Sequence, residues 1–349
     1  MHKYFIFFFF IISNIYSQNS NNLTEFDSID NYVKRIKYNG DITKLVSDLT
    51  ITCKTDIEKS RAIYFWITEN ISYDYKTYNK KKKIQSFKCK SKTDCDLKIA
   101  QWKNKILDRV LNKKTAICSG YSELFKKMCN LALVDCEVVE GYTKSEPNQI
   151  GKMGILDHAW NVLLIDNKHY YLDLTWAAGS CSKNKKGKLD KFYKERNEYY
   201  WLTPIDKLSR NHFPKDTLQL HNSKYNKELF KRNPYIKNSI ISDIEIVSPN
   251  SGIINAKICD TIKIQFEYSK EIKNIQVNTN VKRNPKVWKI ESGIEIFNEK
   301  VIPKQQYINF NKENETYSFD YILDNKSIRY IEILFDYRLR IKYLVKITE

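Results

Sequence analysis

Residues 157–176 read DHAWNVLLIDNKHYYLDLTW. Two apolar-rich runs, 158–165 and 169–176, flank Asp166 and Asn167. That dipeptide suits a two-residue hairpin turn, so the pattern predicts two antiparallel strands. With such a turn, Ile165 pairs with Lys168. The same register carried outward puts Asp173 opposite Trp160. Side chains alternate along a strand, so His158, Trp160, Val162 and Leu164 share one face. Asp173 then falls on the His158 face, displaced by two residues. Diagonal neighbours lie about 7–8 Å apart at the backbone, within reach of longer side chains. A loop one residue longer or shorter would send Asp173 to the other face.

Upstream, residues 115–125 read TAICSGYSELF. Tyr121, Leu124, Phe125, Met128, Cys129 and Ala132 recur at helical spacing and predict a helix over 121–133. Cys129 falls on its core face and reads as a structural thiol. Cys118 stands at the start. Backbone N–H groups at a helix N-terminus carry partial positive charge, which suits an anionic sulfur. The same amides lie where an oxyanion would develop. Gly120 removes a side chain near the sulfur, leaving room for a substrate.

A cysteine nucleophile needs a base that becomes its ion-pair partner, and histidine fits at neutral pH. A third group should orient the imidazole. Cys118, His158 and Asp173 are the candidates for those roles. Plainer readings stand beside them. A strand histidine is commonly a satisfied polar group, and an aspartate near a turn is commonly solvated. Trp160 and Trp176 read as core or pocket walls. Tyr121 and Asn161 read as hydrogen-bond supports or buried polar groups.

The order ICSGYSELF, then DHAWNVLLIDNKHYYLDLTW, resembles the transglutaminase-like superfamily, a papain-type fold in which those three positions form the triad. The upstream DIEKSRAIYFWITENISYDY is similar to the helix and turn before that core. The downstream YYWLTPIDKLSRNHFPKDTLQL resembles the kyphoscoliosis peptidase branch, where β-sandwich modules can follow the core. The resemblance covers roughly residues 50–222. Ala116 stands where many relatives have Gly, and Ile117 replaces a common Val. His212 lies in a motif shared with the branch, with no catalytic role assigned, and reads as structural.

The rest of the chain divides around this core. Residues 1–17 carry Lys3, a nine-residue apolar run from Tyr4 to Ile12, and a small Ser17. That is the pattern of a cleaved secretory signal, too short to span a bilayer. Residues 18–49 form an N-terminal leader and helix, with 18–30 flexible and a helical pattern from Asp27. The core occupies 50–235. Its helix over 56–70 starts with Asp56 as N-cap, and a second helix covers 97–111. Residue stretches 76–95, 144–156 and 177–197 read as loops, 135–142 as a strand, and 198–203 as a final short strand. Residues 240–349 bring short β-rich runs with turn residues between them, the signature of an all-β, Ig-like sandwich. The expected class is α+β: helices packed on an antiparallel sheet, then the sandwich.

Composition bounds the partners. The net charge is +18, from 59 basic residues. Lysine is scattered along the chain, and no recognition module accompanies it, so nucleic-acid binding is not expected. An anionic cell-envelope polymer is a partner the charge would allow. Among eight cysteines, Cys89 and Cys95 could close a short bridge in an oxidising compartment. No cysteine pair has zinc-ligand spacing with histidines, so no metal or other cofactor is expected. No acidic loop supports a calcium site.

These readings imply a secreted, periplasmic or envelope cysteine peptidase or amidase, or a transglutaminase-like acyltransferase, acting on protein or peptide amide bonds. The kyphoscoliosis branch tilts the balance toward hydrolysis. The alternative is a non-catalytic binding or scaffold protein of the cell envelope on the same fold. No transmembrane segment is expected after signal cleavage.

Overall fold

A computed structural model describes residues 22–80, 87–221, 223–291 and 294–348. The expected signal segment, residues 1–17, lies outside them. The first helices are α1 (Asn22–Val33), α2 (Ile42–Thr50) and α3 (Asp56–Asn70). The expected flexible leader is therefore helical from Asn22. Phe26 and Val33 of α1 are buried, which a polar reading of this stretch did not anticipate. The N-cap of α3 is Thr55 rather than Asp56. Thr55 and Glu58 exchange hydrogen bonds in a capping box, which satisfies two orphan donors at the helix start. Every residue from Ser60 to Thr68 is buried, so α3 is the central helix of the core.

One buried ion network locks α1 to α3. Arg61 donates two hydrogen bonds to Asp30, at 2.9 and 2.6 Å, and two to Glu198, at 2.6 and 3.0 Å. Such fork-to-carboxylate contacts are the stronger kind of ion pair. Arg196 joins through Glu198 and Glu69.

After α3 come β1 (Ser72–Tyr73), α4 (Tyr75–Asn79), α5 (Lys92–Lys113), β2 (Thr115–Ala116) and α6 (Cys118–Leu131). The loop expected over 76–95 thus carries two helical stretches. Cys89 and Cys95 are joined by a disulfide at the start of α5. The main sheet of the core has β3 (Asp135–Thr143), β4 (Leu156–Ile165), β5 (Lys168–Leu172) and β8 (His212–Pro214), in the order β5-β4-β3-β8. All its pairings are antiparallel. Ile165 pairs with Lys168 and Asn161 with Leu172, the register expected from a two-residue turn. Asp166 and Asn167 both adopt positive φ, as that turn requires. Helix α6 packs on β3 and β4.

Three local expectations are corrected. Strand β5 stops at Leu172, because Asp173 caps the short helix α7 (Leu174–Ala177) with its side chain. Residues 177–197 hold a hairpin of β6 (Gly179–Lys183) and β7 (Leu189–Lys194), not a loop. Its turn is organised by Asn184, whose side chain accepts from the amides of Lys186 and Lys188. The final strand expected over 198–203 is a 3-10 turn, Glu198–Tyr200, capped by Asn197.

The C-terminal part is a sandwich. One sheet runs β10 (Ile244–Ser248), β12 (Thr261–Tyr268), β17 (Thr316–Ile322) and β16 (Asn311–Glu313). The other runs β11 (Ile253–Ala256), β19 (Arg338–Ile347), β18 (Tyr330–Phe335) and β13 (Ile275–Thr279), with β9 (Tyr235–Ile236) also paired to β19. Strands β14 (Trp288–Glu291) and β15 (Ile294–Phe297) form a separate hairpin. Ile262, Ile264, Phe266 and Tyr268 are buried at every second position. The Phe266 ring meets Phe335 of the facing sheet at 5.0 Å. Among the described residues no helix is long and apolar enough to cross a membrane.

Gly141 on β3 is a close-approach position. It pairs with His158 on one side and Pro214 on the other. A Cβ there would run into the Phe213 carbonyl oxygen and the Trp160 ring. Gly141→Ala should therefore cost about 2–3 kcal/mol, the scale of overpacking in a tight core. Urea unfolding checks this, and a midpoint equal to that of the parent would contradict the packing.

Candidate active site

The site forms where α6 begins and the β4–β5 hairpin ends. Cys118 is the first residue of α6, half-buried, after Ile117 in extended backbone. No side chain caps that helix end. Its first amides are therefore not consumed by a capping group, as the anion-binding reading requires. The thiol donates to the Asp157 carbonyl at 3.7 Å, and the sulfur lies near enough to His158 to favour its charged form. The parallel pairing of β1 with β2 places Tyr73 beside Ala116, two residues before the sulfur.

Gly120 has a different role from the one expected. It is buried, and a Cβ there would lie 2.9 Å from Ala116 Cβ and 3.1 Å from a Val110 methyl. The residue lets the first turn of α6 seat against α5. It does not open a path for substrate.

His158 Nε2 lies 2.7 Å from Asp173 Oδ2. Asp173 is fully buried. Its other oxygen accepts from the amides of Thr175, at 2.8 Å, and Trp176, at 3.2 Å. A carboxylate only accepts, so Nε2 of His158 carries a proton and Nδ1 is left for the thiol. The Trp176 ring sits 5.2 Å from the imidazole and Trp160 6.1 Å away, so both walls are aromatic. Asn161 donates to the Ser122 and Glu137 carbonyls, tying α6 to β3, and the Tyr121 hydroxyl donates to Ile71. These two are supports.

The electrostatics follow from burial and pairing. Burial opposes a charged His158, but Asp173 and then Cys118 outweigh it and push the ring up to about 10. Burial likewise opposes ionised Asp173, but His158 and then His212 hold it well below the usual carboxylate range. The phenol of Tyr73 is pushed up, mainly by burial and next by Cys118, so it stays a neutral donor.

His212 was expected to be structural. The fold brings it onto the same carboxylate, with Nε2 3.1 Å from Asp173 Oδ2. His158, Asp173 and His212 offer three ligand-type atoms within 4.8 Å of one another. The N···O separations of 2.7 and 3.1 Å are those of hydrogen bonds. Neighbouring ligand atoms around a tetrahedral zinc would stand about 3.3 Å apart.

A cleft of about 620 Å³ opens beside His158. Tyr73, Tyr78, Trp176 and Phe192 give it apolar walls, and it runs on to Lys237 and Asp243 ahead of the sandwich. Cys181 lines it as well, its thiol pushed up to about 11 by burial.

Fold and site define a transglutaminase-like core. Residues 84–174, which include Cys118, His158 and Asp173, match the model of the transglutaminase-like superfamily. The chain is 32% identical over 237 residues to the kyphoscoliosis peptidase of Homo sapiens, covering 67% of this chain and 31% of that protein. It is 28% identical over 174 residues to hillarin of Drosophila melanogaster, covering 46% of this chain and 18% of that protein. The overlap with a crystal structure of a TGase is slight: TM-score 0.28 at 17% identity, over 55% of this chain and 40% of that one. The chain belongs to the transglutaminase-like superfamily, in its kyphoscoliosis-peptidase-like branch. It spans less than a third of the length of these curated relatives.

The pairing of His158 with Asp173 has a signature in stability. A ring whose folded value is raised from 6.5 to about 10 stabilises the fold fully below 6.5, and that contribution fades as pH rises through about 10. Asp173, held low, contributes above its ordinary value of 3.8 and loses its share as pH falls below it. Between pH 6.5 and 10 unfolding free energy should therefore decline, and His158→Ala should flatten the slope. Denaturant titrations across that window test it; a slope unchanged by the substitution would contradict the assignment.

Proposed function

We propose that this chain is an exported thiol enzyme that cleaves amide bonds in proteins or peptides through Cys118, His158 and Asp173. The observation that carries the reading is the buried 2.7 Å contact of His158 Nε2 with Asp173 Oδ2, with Cys118 near enough to favour the charged imidazole. The match to relatives named as peptidases favours hydrolysis.

Transfer of the thiol proton to His158 Nδ1 gives a resting thiolate–imidazolium pair, and the sulfur anion attacks the substrate carbonyl carbon. The carbonyl π electrons move onto oxygen, which the amides at the start of α6 stabilise. As the tetrahedral species collapses, the C–N bond breaks and the imidazolium gives its proton to the leaving amine. A thioester on Cys118 remains. Water, deprotonated by His158, attacks that thioester and releases the acid, restoring the thiol. Asp173 keeps the ring oriented and balances its charge at each step.

Alkylation of Cys118 by iodoacetamide, followed on its own peptide by mass spectrometry, tests the reading. That resolution is needed because Cys53, Cys181 and Cys259 are also free and at least partly exposed. At pH 7 His158→Ala should slow Cys118 alkylation by about 10²-fold, the lower end of what a positioned base contributes. Cys118→Ala should abolish peptide cleavage. A Cys118 that reacts no faster than the other exposed thiols, and is indifferent to His158→Ala, would remove the enzyme reading and leave the scaffold one. Adding a primary amine during turnover separates hydrolysis from transfer by product mass.

A further inference from the structure

His212 reaches the group that supports the base, not the reacting atoms. Strand β8 lies on β3, with His212 paired to Thr143, and this carries the ring under the hairpin end. The residue is 1% exposed. Its Nε2 is 3.1 Å from Asp173 Oδ2, the oxygen that also holds His158. Its Nδ1 is 2.6 Å from Asn211 Oδ1, and the Asn211 Nδ2 donates to the Tyr200 hydroxyl at 3.3 Å. Trp176 and Trp160 stand edge-on to the ring at 4.6 and 5.0 Å, so its plane is confined.

Donor and acceptor counting fixes the proton. Ionised Asp173 accepts only, so His212 meets it with Nε2–H. Four N–H groups then fill the carboxylate: Thr175 and Trp176 on one oxygen, the two rings on the other. The charged or titratable groups facing His212 are Asp173 and His158, with the Tyr200 phenol beyond Asn211. One cationic ring balances the carboxylate. A second would be an unpaired buried charge, which is costly. Burial first, and the neighbouring His158, hold His212 below its ordinary value, against the pull of Asp173. A neutral ring must accept at Nδ1. That requires the Asn211 amide to be turned from the orientation above, its Nδ2–H toward the ring and its oxygen taking the Tyr200 O–H, a choice the hydrogen-bond network decides.

We propose that His212 is a positioning residue of this site: a neutral ring whose Nε2–H keeps Asp173 ionised and aimed at His158. The contact matters for catalysis only if the thiol-enzyme reading holds; its existence does not depend on that reading. Without the donor, Asp173 takes up a proton at higher pH and can no longer balance the imidazolium. The thiolate–imidazolium pair then fails earlier as pH falls.

The pH profile of Cys118 alkylation in His212→Phe and His212→Gln is the test. The acid limb should move up by about 1–2 pH units in the phenylalanine variant, as loss of one hydrogen bond to a charged group implies. Glutamine, which can place an amide nitrogen where Nε2 stood, should keep the limb within about half a unit. A folded phenylalanine variant with an unmoved limb would reduce His212 to packing and overturn the proposal. Nitrogen-15 NMR of the parent protein asks the same question without any variant or activity. His212 should be the neutral Nε2–H tautomer at pH 7; an Nδ1–H or doubly protonated ring would overturn the proposal. If Cys118 proves an ordinary thiol, the enzyme reading falls, while the NMR result still decides the contact.

Discussion

The Asp173 carboxylate is fully buried, and an anion there survives only because every lone pair is used. Its four donors come from three directions: the first turn of α7, the middle sheet strand β4, and the edge strand β8. Each donor requires a piece of architecture. The helix requires that β5 end at Leu172. The His158 contact requires the hairpin register set by Asp166 and Asn167. The His212 contact requires β8 to lie against β3, which Gly141 allows by having no side chain. Burying one charge therefore commits turn, register and sheet order together.

The same arrangement explains why the thiol and the imidazole meet. Helix α6 is pressed on β3 and β4 by the core residues Tyr121, Leu124, Phe125 and Met128. Asn161 pins it with a hydrogen bond from the strand to Ser122. Gly120 allows the first turn to sit close to Ala116 and Val110. The position of Cys118 is thus set by packing on one side of the helix, while its sulfur faces the other way toward Asp157 and His158.

Much of this was legible in the chain. The hairpin register came from two turn residues and an apolar alternation, and the placement of Cys118 from helical spacing. The sandwich showed in its alternating runs, such as the one from Ile262 to Tyr268. Other features left weak local signals. Strand β8 has three residues, too few for a period, and its partner Asp173 is 39 positions away. The β6–β7 hairpin is hidden by lysines and holds no buried residue, so alternation is faint. Helix α1 reads as polar because its contribution is made by Phe26, Val33 and one aspartate. Gly120 was legible as a position that needs no side chain, but not as to which neighbour required it.

That aspartate gives α1 a further meaning. Asp30 and Glu198 share the guanidinium of Arg61, and Glu198 stands on the wall of the cleft. The cleft wall is thereby tethered, through one buried cation, to the N-terminal helix. Arg61 is a junction with two carboxylate arms. If the α1 arm let go, the arginine would remain buried with a single partner, and Glu198 would have to carry its whole charge. The shape of the cleft is in this sense a property of the N-terminal helix as much as of the residues that line it.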